Sequence, residues 1–177
     1  MALKPQDIYV ALKIVAAGSR RSYSQLASEL FMSPSEVHAS VKRAQASHLL
    51  HGSALKTRPN FAALEEFLVH GLKYSFPAER GEITRGVPTS FAAEPLNRTI
   101  ASAHDGIPVW PYEEGKQKGV AFAPLYKTAP RAALRDASFY EYLALADALR
   151  DGRIRERKIA EKQLHRRLSE ANARFQS

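Results

Sequence analysis

Proline is distributed very unevenly along this 177-residue chain: seven of its ten prolines lie between residues 75 and 130. A proline removes one backbone donor and its ring clashes with the preceding helical turn, so long regular helices are not expected in that stretch. The stretch also holds several aromatic side chains, among them Phe91, Trp110 and Phe122, which is atypical of a disordered linker. We therefore expect an ordered but irregular middle segment, with helical segments before and after it.

The first sixty residues carry start and stop signals for short helices. Pro5 suits a first helical turn and Gly18 suits a C-terminal cap, which together predict a helix from about Lys4 to Ala17. Ser22 and Gln25 have the spacing of a capping box, so a second helix is expected to begin directly after Ser22. Apolar residues recur at helical spacing in both segments, so each helix is expected to bury one face.

The strongest start signal in the chain is the sequence Ser-Pro-Ser-Glu at residues 33–36. Ser33 can cap a helix, Pro34 suits its first position, and Glu36 can accept a hydrogen bond from the Ser33 amide. After a three-residue turn, this third helix is expected to run to about Ala46. Its apolar residues lie on one side, and its small, polar and basic residues lie on the other.

A short β-hairpin is expected after the third helix. Residues 49–51 favour a strand, Gly52-Ser53 favours a turn, and residues 55–57 favour a return strand, which together would form a small wing. Pro59 is then expected to open a fourth helix that ends near Tyr74.

Helix, helix, tight turn, capped helix and hairpin, in this order, form the pattern of a winged helix-turn-helix. In that motif the second of the paired helices enters the major groove of DNA by its N-terminal end. Such a helix needs a firm cap, an apolar back and small or hydrogen-bonding residues in front, and the third helix has all three. The residues of this helix expected to contact base edges or, for Arg43, phosphate are Ser33, Ser35, His38, Ala39, Lys42 and Arg43. The residues expected to contact the flanking phosphates are Arg20, Arg21, Lys56 and Arg58.

Three motifs in residues 22–52 resemble those of a known family. They are S-x-x-Q-L-A-S-x-L, M-S-P-S-x-V-x-x-S-V-K-R and H-L-L-H-G. Together they resemble the winged helix-turn-helix of bacterial MarR-type regulators, over about residues 5–60. The resemblance implies a sequence-specific transcriptional regulator, here taken as a repressor, that binds double-stranded DNA as a homodimer on a pseudo-palindrome. MarR proteins flank this module with long dimerisation helices, whereas here the proline-rich segment follows it.

The positive charge of the chain is concentrated at its two ends. The formal net charge is +8, divided into +5 for residues 1–60, −1 for residues 61–150 and +4 for residues 151–177. A basic surface attracts phosphate polyanions through counterion release. Charge alone does not distinguish a nucleic-acid surface from a merely soluble one.

Composition and motifs exclude several other classes. The chain has no cysteine and no apolar run long enough to span a bilayer, and its first residues include Asp7 and Lys13, so we expect a cytoplasmic protein without membrane association or a signal peptide. His48 and His51 lack a neighbouring carboxylate, and no phosphate-binding glycine loop is present, so we expect no metal, no cofactor and no catalytic residue. A small hydrolase using His104 and Asp105 is a remaining hypothesis, but no serine elbow accompanies that pair.

The fold class expected is mainly α with a small β-hairpin wing. Residues 1–60 are interpreted as a winged helix-turn-helix domain, 61–74 as a connecting helix, 75–135 as the irregular segment and 136–177 as a C-terminal helical region.

Two further expectations concern the middle segment. Residues 109–110 and 120–122 are expected to pair as a hairpin across the turn at 113–119. Residues 80–88 combine arginines with glycines and are expected to form a polar surface loop.

An alternative function is that of a protein-interaction adaptor, such as an antitoxin that binds a neighbouring effector with or without repressing its own operon. In that case the middle segment or the last helix would bind the protein partner. The last helix carries many basic residues, and two interpretations of it are equally open: contact with DNA outside the core site, or a solvated helix with internal ion pairs.

Overall fold

The computed structural model describes residues 1–18, 20–101 and 106–177. The described chain is mainly α, with two small sheets. His104 and Asp105 lie outside the described residues, so the hypothesis of a hydrolase pair stays untested. Among the described residues, no helix combines the length and the apolar character needed to cross a bilayer.

The elements are numbered in chain order. The helices are α1 (Pro5–Ala17), α2 (Tyr23–Leu30), α3 (Pro34–Ala46), α4 (Phe61–Glu66), α5 (Leu72–Ser75), α6 (Ala129–Ala133), α7 (Ala137–Asp151) and α8 (Ile154–Gln176). The strands are β1 (Leu50–His51), β2 (Arg58–Pro59), β3 (Arg80–Pro88), β4 (Pro108–Pro111) and β5 (Gln117–Phe122).

The predicted starts of α2 and α3 are confirmed. The Ser22 hydroxyl accepts from the Gln25 amide at 3.1 Å, and the Gln25 side chain accepts from the Ser22 amide at 2.9 Å. The same reciprocal pair forms between Ser33 and Glu36, at 3.2 and 2.9 Å. Each box satisfies two amides that a helix start leaves without a partner.

Helix α1 lies at the centre of the fold, because it packs against α2, α3 and α7. Its burial includes Lys13, whose ammonium lies 2.9 Å from Glu29 and 2.6 Å from Asp136. Burial raises the pKa of the Asp136 carboxyl, but the hydrogen bond and charge of Lys13, together with hydrogen bonds from the backbone amides of Phe139 and Ser138, hold that pKa below its usual value. This ion pair joins α1 to the start of α7, so the first and last helical segments share one core.

The hairpin after α3 differs from the prediction. Strands β1 and β2 are antiparallel, with His51 opposite Arg58, and the predicted return strand at 55–57 is wrong. Residues Ala54–Lys56 instead form a 3-10 turn, because the Thr57 hydroxyl donates to the Ala54 carbonyl at 2.9 Å and closes it.

The helix after the hairpin begins two residues later than predicted. Pro59 lies in β2, and α4 starts behind Asn60, whose side-chain oxygen accepts from the Ala63 amide at 3.3 Å. A π-helical turn, Phe67–Gly71, joins α4 to α5, so the helical path extends to Ser75.

The middle segment contains a closed three-stranded barrel, β3-β4-β5. The predicted hairpin is wrong, because β4 and β5 both pair antiparallel with β3 and therefore run parallel to each other. The prediction of a loop at residues 80–88 is also wrong, because these residues form strand β3. Glycine allows this close packing: a Cβ on Gly86 would lie 2.0 Å from the Trp110 carbonyl oxygen.

Asp147 joins the barrel to α7. The Thr89 hydroxyl and the Trp110 indole nitrogen each donate to its Oδ2 at 2.7 Å, and Arg150 donates to its Oδ1 at 2.9 Å. Burial raises the pKa of the Asp147 carboxyl, whereas these three donors favour its ionised form. Arg150 also donates to the Phe76 carbonyl at 2.9 Å, so one buried polar network connects α7, β4 and the segment before β3.

Candidate nucleic-acid interface

Helix α3 has a buried face and an exposed face. Val37, Val41 and Ala44 are buried, as the apolar spacing predicts. On the opposite side Ser35, His38 and Lys42 are exposed, and Ala39 between them is half-buried. The spacing of Ser35, His38 and Lys42 places them on one face of the helix. The structure therefore brings four of the predicted base-contacting residues to one surface.

The N-terminal cap of α3 has its own partners. The Ser33 hydroxyl accepts from the Glu36 amide, so this side chain serves the helix start. Hydrogen bonds from Ser33, and one from the Tyr126 hydroxyl at 3.1 Å, lower the pKa of the Glu36 carboxyl. A negative charge therefore lies in the first turn of α3, and we leave Ser33 and Glu36 out of the set of base-contacting residues.

His38 is held by a neighbour that the sequence did not indicate. Its ring lies 5.4 Å from the ring of Tyr23, centroid to centroid, and Tyr23 is the first residue of α2. This contact connects the exposed faces of the paired helices and restricts the imidazole to a few positions. Tyr23 belongs to α2 and His38 to α3, so only the packing of the two helices brings them together.

Arg43 points inward, whereas the sequence predicted contact with phosphate. Its Nε lies 2.9 Å from Oδ2 of Asp7, and its Nη2 lies 2.8 Å from Oδ1. The Asp7 side chain is fully buried, and the Arg43 side chain is 13% exposed. A guanidinium held in two hydrogen bonds by a buried carboxylate is a structural link between α1 and α3. We therefore leave Arg43 out of the candidate interface.

Alanine substitutions at the adjacent residues Lys42 and Arg43 are expected to change the stability of the protein to different extents. Arg43→Ala leaves the Asp7 carboxylate without its counter-ion, so we expect a loss of about 1–3 kcal/mol in the free energy of unfolding. Lys42→Ala removes an exposed side chain and is expected to change the free energy of unfolding by less than about 0.5 kcal/mol. Urea unfolding of both variants measures the difference. Equal stabilities would show that the Arg43–Asp7 pair does not hold α3 to α1.

The two arginines before α2 are in different situations. Arg21 lies 3.4 Å from Glu29 and is partly exposed, so its charge is shared with an acidic neighbour. Arg20 is exposed, and its backbone has a positive φ of 70°. Arg20 faces the β1–β2 hairpin, where it joins other predicted residues.

A cationic cleft lies between the β1–β2 hairpin and the C-terminal end of α8. We call it the hairpin–α8 cleft, and its volume is about 890 Å³. Arg20, Lys56, Arg58 and Arg174 supply its charged side chains, and Leu55 and Phe175 add apolar surface; Thr57 and Ser177 complete the lining. No aspartate or glutamate is among these described lining residues.

The hairpin–α8 cleft combines predicted residues with one that was missed. Arg20 lies more than thirty residues before Lys56 and Arg58 in the chain. Arg174 comes from the last helix. Phe175 is buried with its ring 5.5 Å from that of Phe61 on α4, and Arg174 precedes it and lines the cleft. Four cations around one concave surface produce a positive potential that attracts an anion. The site is suited to phosphate groups.

Clusters of metal-binding side chains are absent from the part of the chain that the structure describes. No group of three or more histidine, aspartate or glutamate side chains is close enough there to hold a metal ion. His48 precedes β1, His51 is the last residue of β1, and both are exposed.

Comparison of the chain with protein-family models, with curated proteins and with solved structures found no match in any of the three.

Proposed function

We propose that this protein binds duplex DNA through a winged helix-turn-helix and regulates transcription as a sequence-specific repressor. In this proposal α2 and α3 are the paired helices, α3 enters the major groove, and the β1–β2 hairpin is the wing. The observation that carries the proposal is the hairpin–α8 cleft, where four cations meet next to the predicted wing. Phosphate contacts of this kind supply affinity and fix the position of the protein on the duplex.

Sequence discrimination is assigned to the exposed face of α3. Lys42 and His38 carry donors that can reach acceptors on purine edges, and Ser35 can donate or accept. The Ala39 methyl group can contact a thymine methyl group. The contact between Tyr23 and His38 supports this assignment, because a restricted imidazole loses less entropy when it binds a base.

A homodimer is part of the proposal, because MarR-type proteins bind pseudo-palindromic DNA in pairs. The two half-sites are then expected about 10–10.5 base pairs apart, or a multiple of that distance, since both copies must face the same side of the duplex.

The test of the proposal is selection of bound duplexes from a random DNA pool at roughly physiological salt, about 0.15 M. An enriched inverted repeat is the expected result, and its spacing reports how the two copies are arranged. If no motif is enriched and the weak binding disappears as salt rises, the proposal is wrong, because a basic surface alone gives that result.

Lys42→Ala is expected to weaken binding to the selected site by about 1–3 kcal/mol and to relax the preference at one base position. Lys116→Ala is the matched control, since Lys116 is an exposed lysine in the loop between β4 and β5. Fluorescence anisotropy with the selected duplex and its single-base variants measures both effects. If Lys42→Ala retains the affinity and base preference of the parent, Lys42 does not read bases.

A further inference from the structure

The outward face of α8 is a stripe of basic side chains. We call it the outer stripe, and it consists of Arg155, Lys158, Lys162 and Arg166, all of which are exposed. The opposite face of α8 is apolar and buried, and it includes Ala160, Leu164 and Leu168. Positions i, i+3, i+7 and i+11 fall on one side of a helix, so these four cations point the same way.

The four cations of the outer stripe form no ion pair within the described part of the chain. Arg155, Lys158 and Lys162 form no described ion pair, and Arg166 donates to the neutral Gln163 at 2.9 Å. Glu161 and Glu170 lie at the edges of the stripe and form no described ion pair with it. An exposed helix that is stabilised by internal ion pairs would show such pairs at i,i+4. The four cations of the stripe are therefore exposed and, among the described residues, not held in ion pairs, with Glu170 beside Arg166 as a nearby acidic side chain.

The outer stripe leads toward the candidate interface. The C-terminal end of α8 reaches the hairpin–α8 cleft, where Arg174 stands beside Lys56 and Arg58. The stripe begins two helical turns before Arg174 and extends away from the cleft for about 16 Å, at 1.5 Å of rise per residue. Along the axis of duplex DNA this length corresponds to about five base-pair steps.

Other polyanionic partners fit this surface less well than nucleic acid does. A helix that lies on a membrane needs an exposed apolar face, and the apolar face of α8 is buried in the core. Ile154 beside Arg155 is the exposed apolar side chain at this end of α8, so the outer stripe is mainly a repeating array of like charges, which suits a partner whose charge repeats at regular intervals. The DNA backbone has that property.

We infer that the outer stripe of α8 binds the phosphate backbone of duplex DNA that flanks the site read by α3. This inference rests on the proposed function, because it places the flanking DNA relative to that site. It assigns to the C-terminal helix an anchoring role without base recognition.

The experiment compares the selected site in a short duplex with the same site extended by unrelated flanking sequence. The parent protein is expected to bind the extended duplex at least about 10-fold more tightly, with a steeper dependence of log affinity on log salt. The Lys158→Ala/Lys162→Ala variant is expected to lose most of that gain, and its salt slope on the extended duplex should fall by about 2. The Lys116→Ala/Lys118→Ala variant removes the same charge from the barrel and is expected to behave like the parent.

The outcomes separate the inference from the proposed function. If the parent binds the two duplexes equally, or if the Lys158→Ala/Lys162→Ala variant keeps the gain from flanking DNA, the outer stripe does not bind DNA and the inference is overturned. If neither duplex is preferred over one with a scrambled site, sequence-specific binding itself fails. Circular dichroism of both double variants shows whether α8 is retained.

Discussion

Asp147→Ala is expected to lower the free energy of unfolding by about 3–5 kcal/mol, the cost of removing one partner from a buried ion pair. Asp147 is 1% exposed, and its carboxylate accepts from Thr89, Trp110 and Arg150. Without it the buried guanidinium of Arg150 loses its counter-ion, and the other two donors lose their acceptor. Urea unfolding, followed by the fluorescence of the single tryptophan and by circular dichroism, measures the change.

Two variants control this experiment. Asp151→Ala removes another carboxylate from α7, but its ion pair with Arg80 is exposed, so we expect a loss below about 1 kcal/mol. Asp147→Asn keeps the shape and one acceptor oxygen, so its stability should lie between those of the parent and Asp147→Ala. If Asp147→Ala cost no more than Asp151→Ala, the buried network would not be what holds the barrel to α7.

The second large effect concerns DNA affinity. Arg20→Ala/Lys56→Ala/Arg58→Ala removes three of the four cations in the hairpin–α8 cleft and is expected to weaken binding by on the order of 100- to 1000-fold. The salt slope should fall by about 3, one unit for each lost phosphate contact. The loss should be nearly the same on all sequences, because phosphate contacts carry no base information. Anisotropy titrations at several salt concentrations, with the selected and a scrambled duplex, measure these quantities.

The matched control for the cleft removes three exposed cations that lie elsewhere. Arg98→Ala/Lys116→Ala/Lys118→Ala has the same net charge as the cleft variant, and none of its positions lines the cleft. Its affinity is expected to stay within a few-fold of that of the parent. If both triple variants lost affinity equally, total charge rather than the cleft would account for binding.

The helix starts were predictable because their causes are local. Ser22 and Gln25, like Ser33 and Glu36, are three residues apart, and each pair satisfies backbone amides within one helical turn. The apolar face of α3 was predictable for a similar reason, since helical periodicity alone places Val37 and Val41 on one side.

The barrel was not predictable from local patterns. Most of β3 is exposed, so it lacks the alternation of apolar and polar residues that marks a half-buried strand. Its partners are distant: Arg80 lies opposite Phe122, and Gly86 lies opposite both Pro111 and Gln117. The pairing depends on glycine positions that permit close backbone approach, and a sequence alone does not show which backbone approaches.

The candidate site shows the same division. Lys42 and Arg43 are adjacent and both basic, yet Lys42 faces solvent and Arg43 pairs with the buried Asp7, 36 residues earlier. Adjacent residues of a helix point in directions about 100° apart, so the sequence predicts that Lys42 and Arg43 face different ways. That Asp7 on α1 is the partner of Arg43 is known only from the packing of the two helices. The place of Arg174 in the cleft also depends on a long-range contact. The end of α8 lies beside a hairpin that is more than a hundred residues earlier in the chain.

The sequence by itself determined where helices begin, which of their faces are apolar, and that both ends of the chain are basic, because these properties depend on residues within one or two turns of each other. Only the tertiary structure decided which strands pair, which arginine is buried in an ion pair, and which cations surround the cleft. Those outcomes are decided by contacts between residues far apart in the chain, where removing one partner of a buried ion pair costs several times more than it does at the surface.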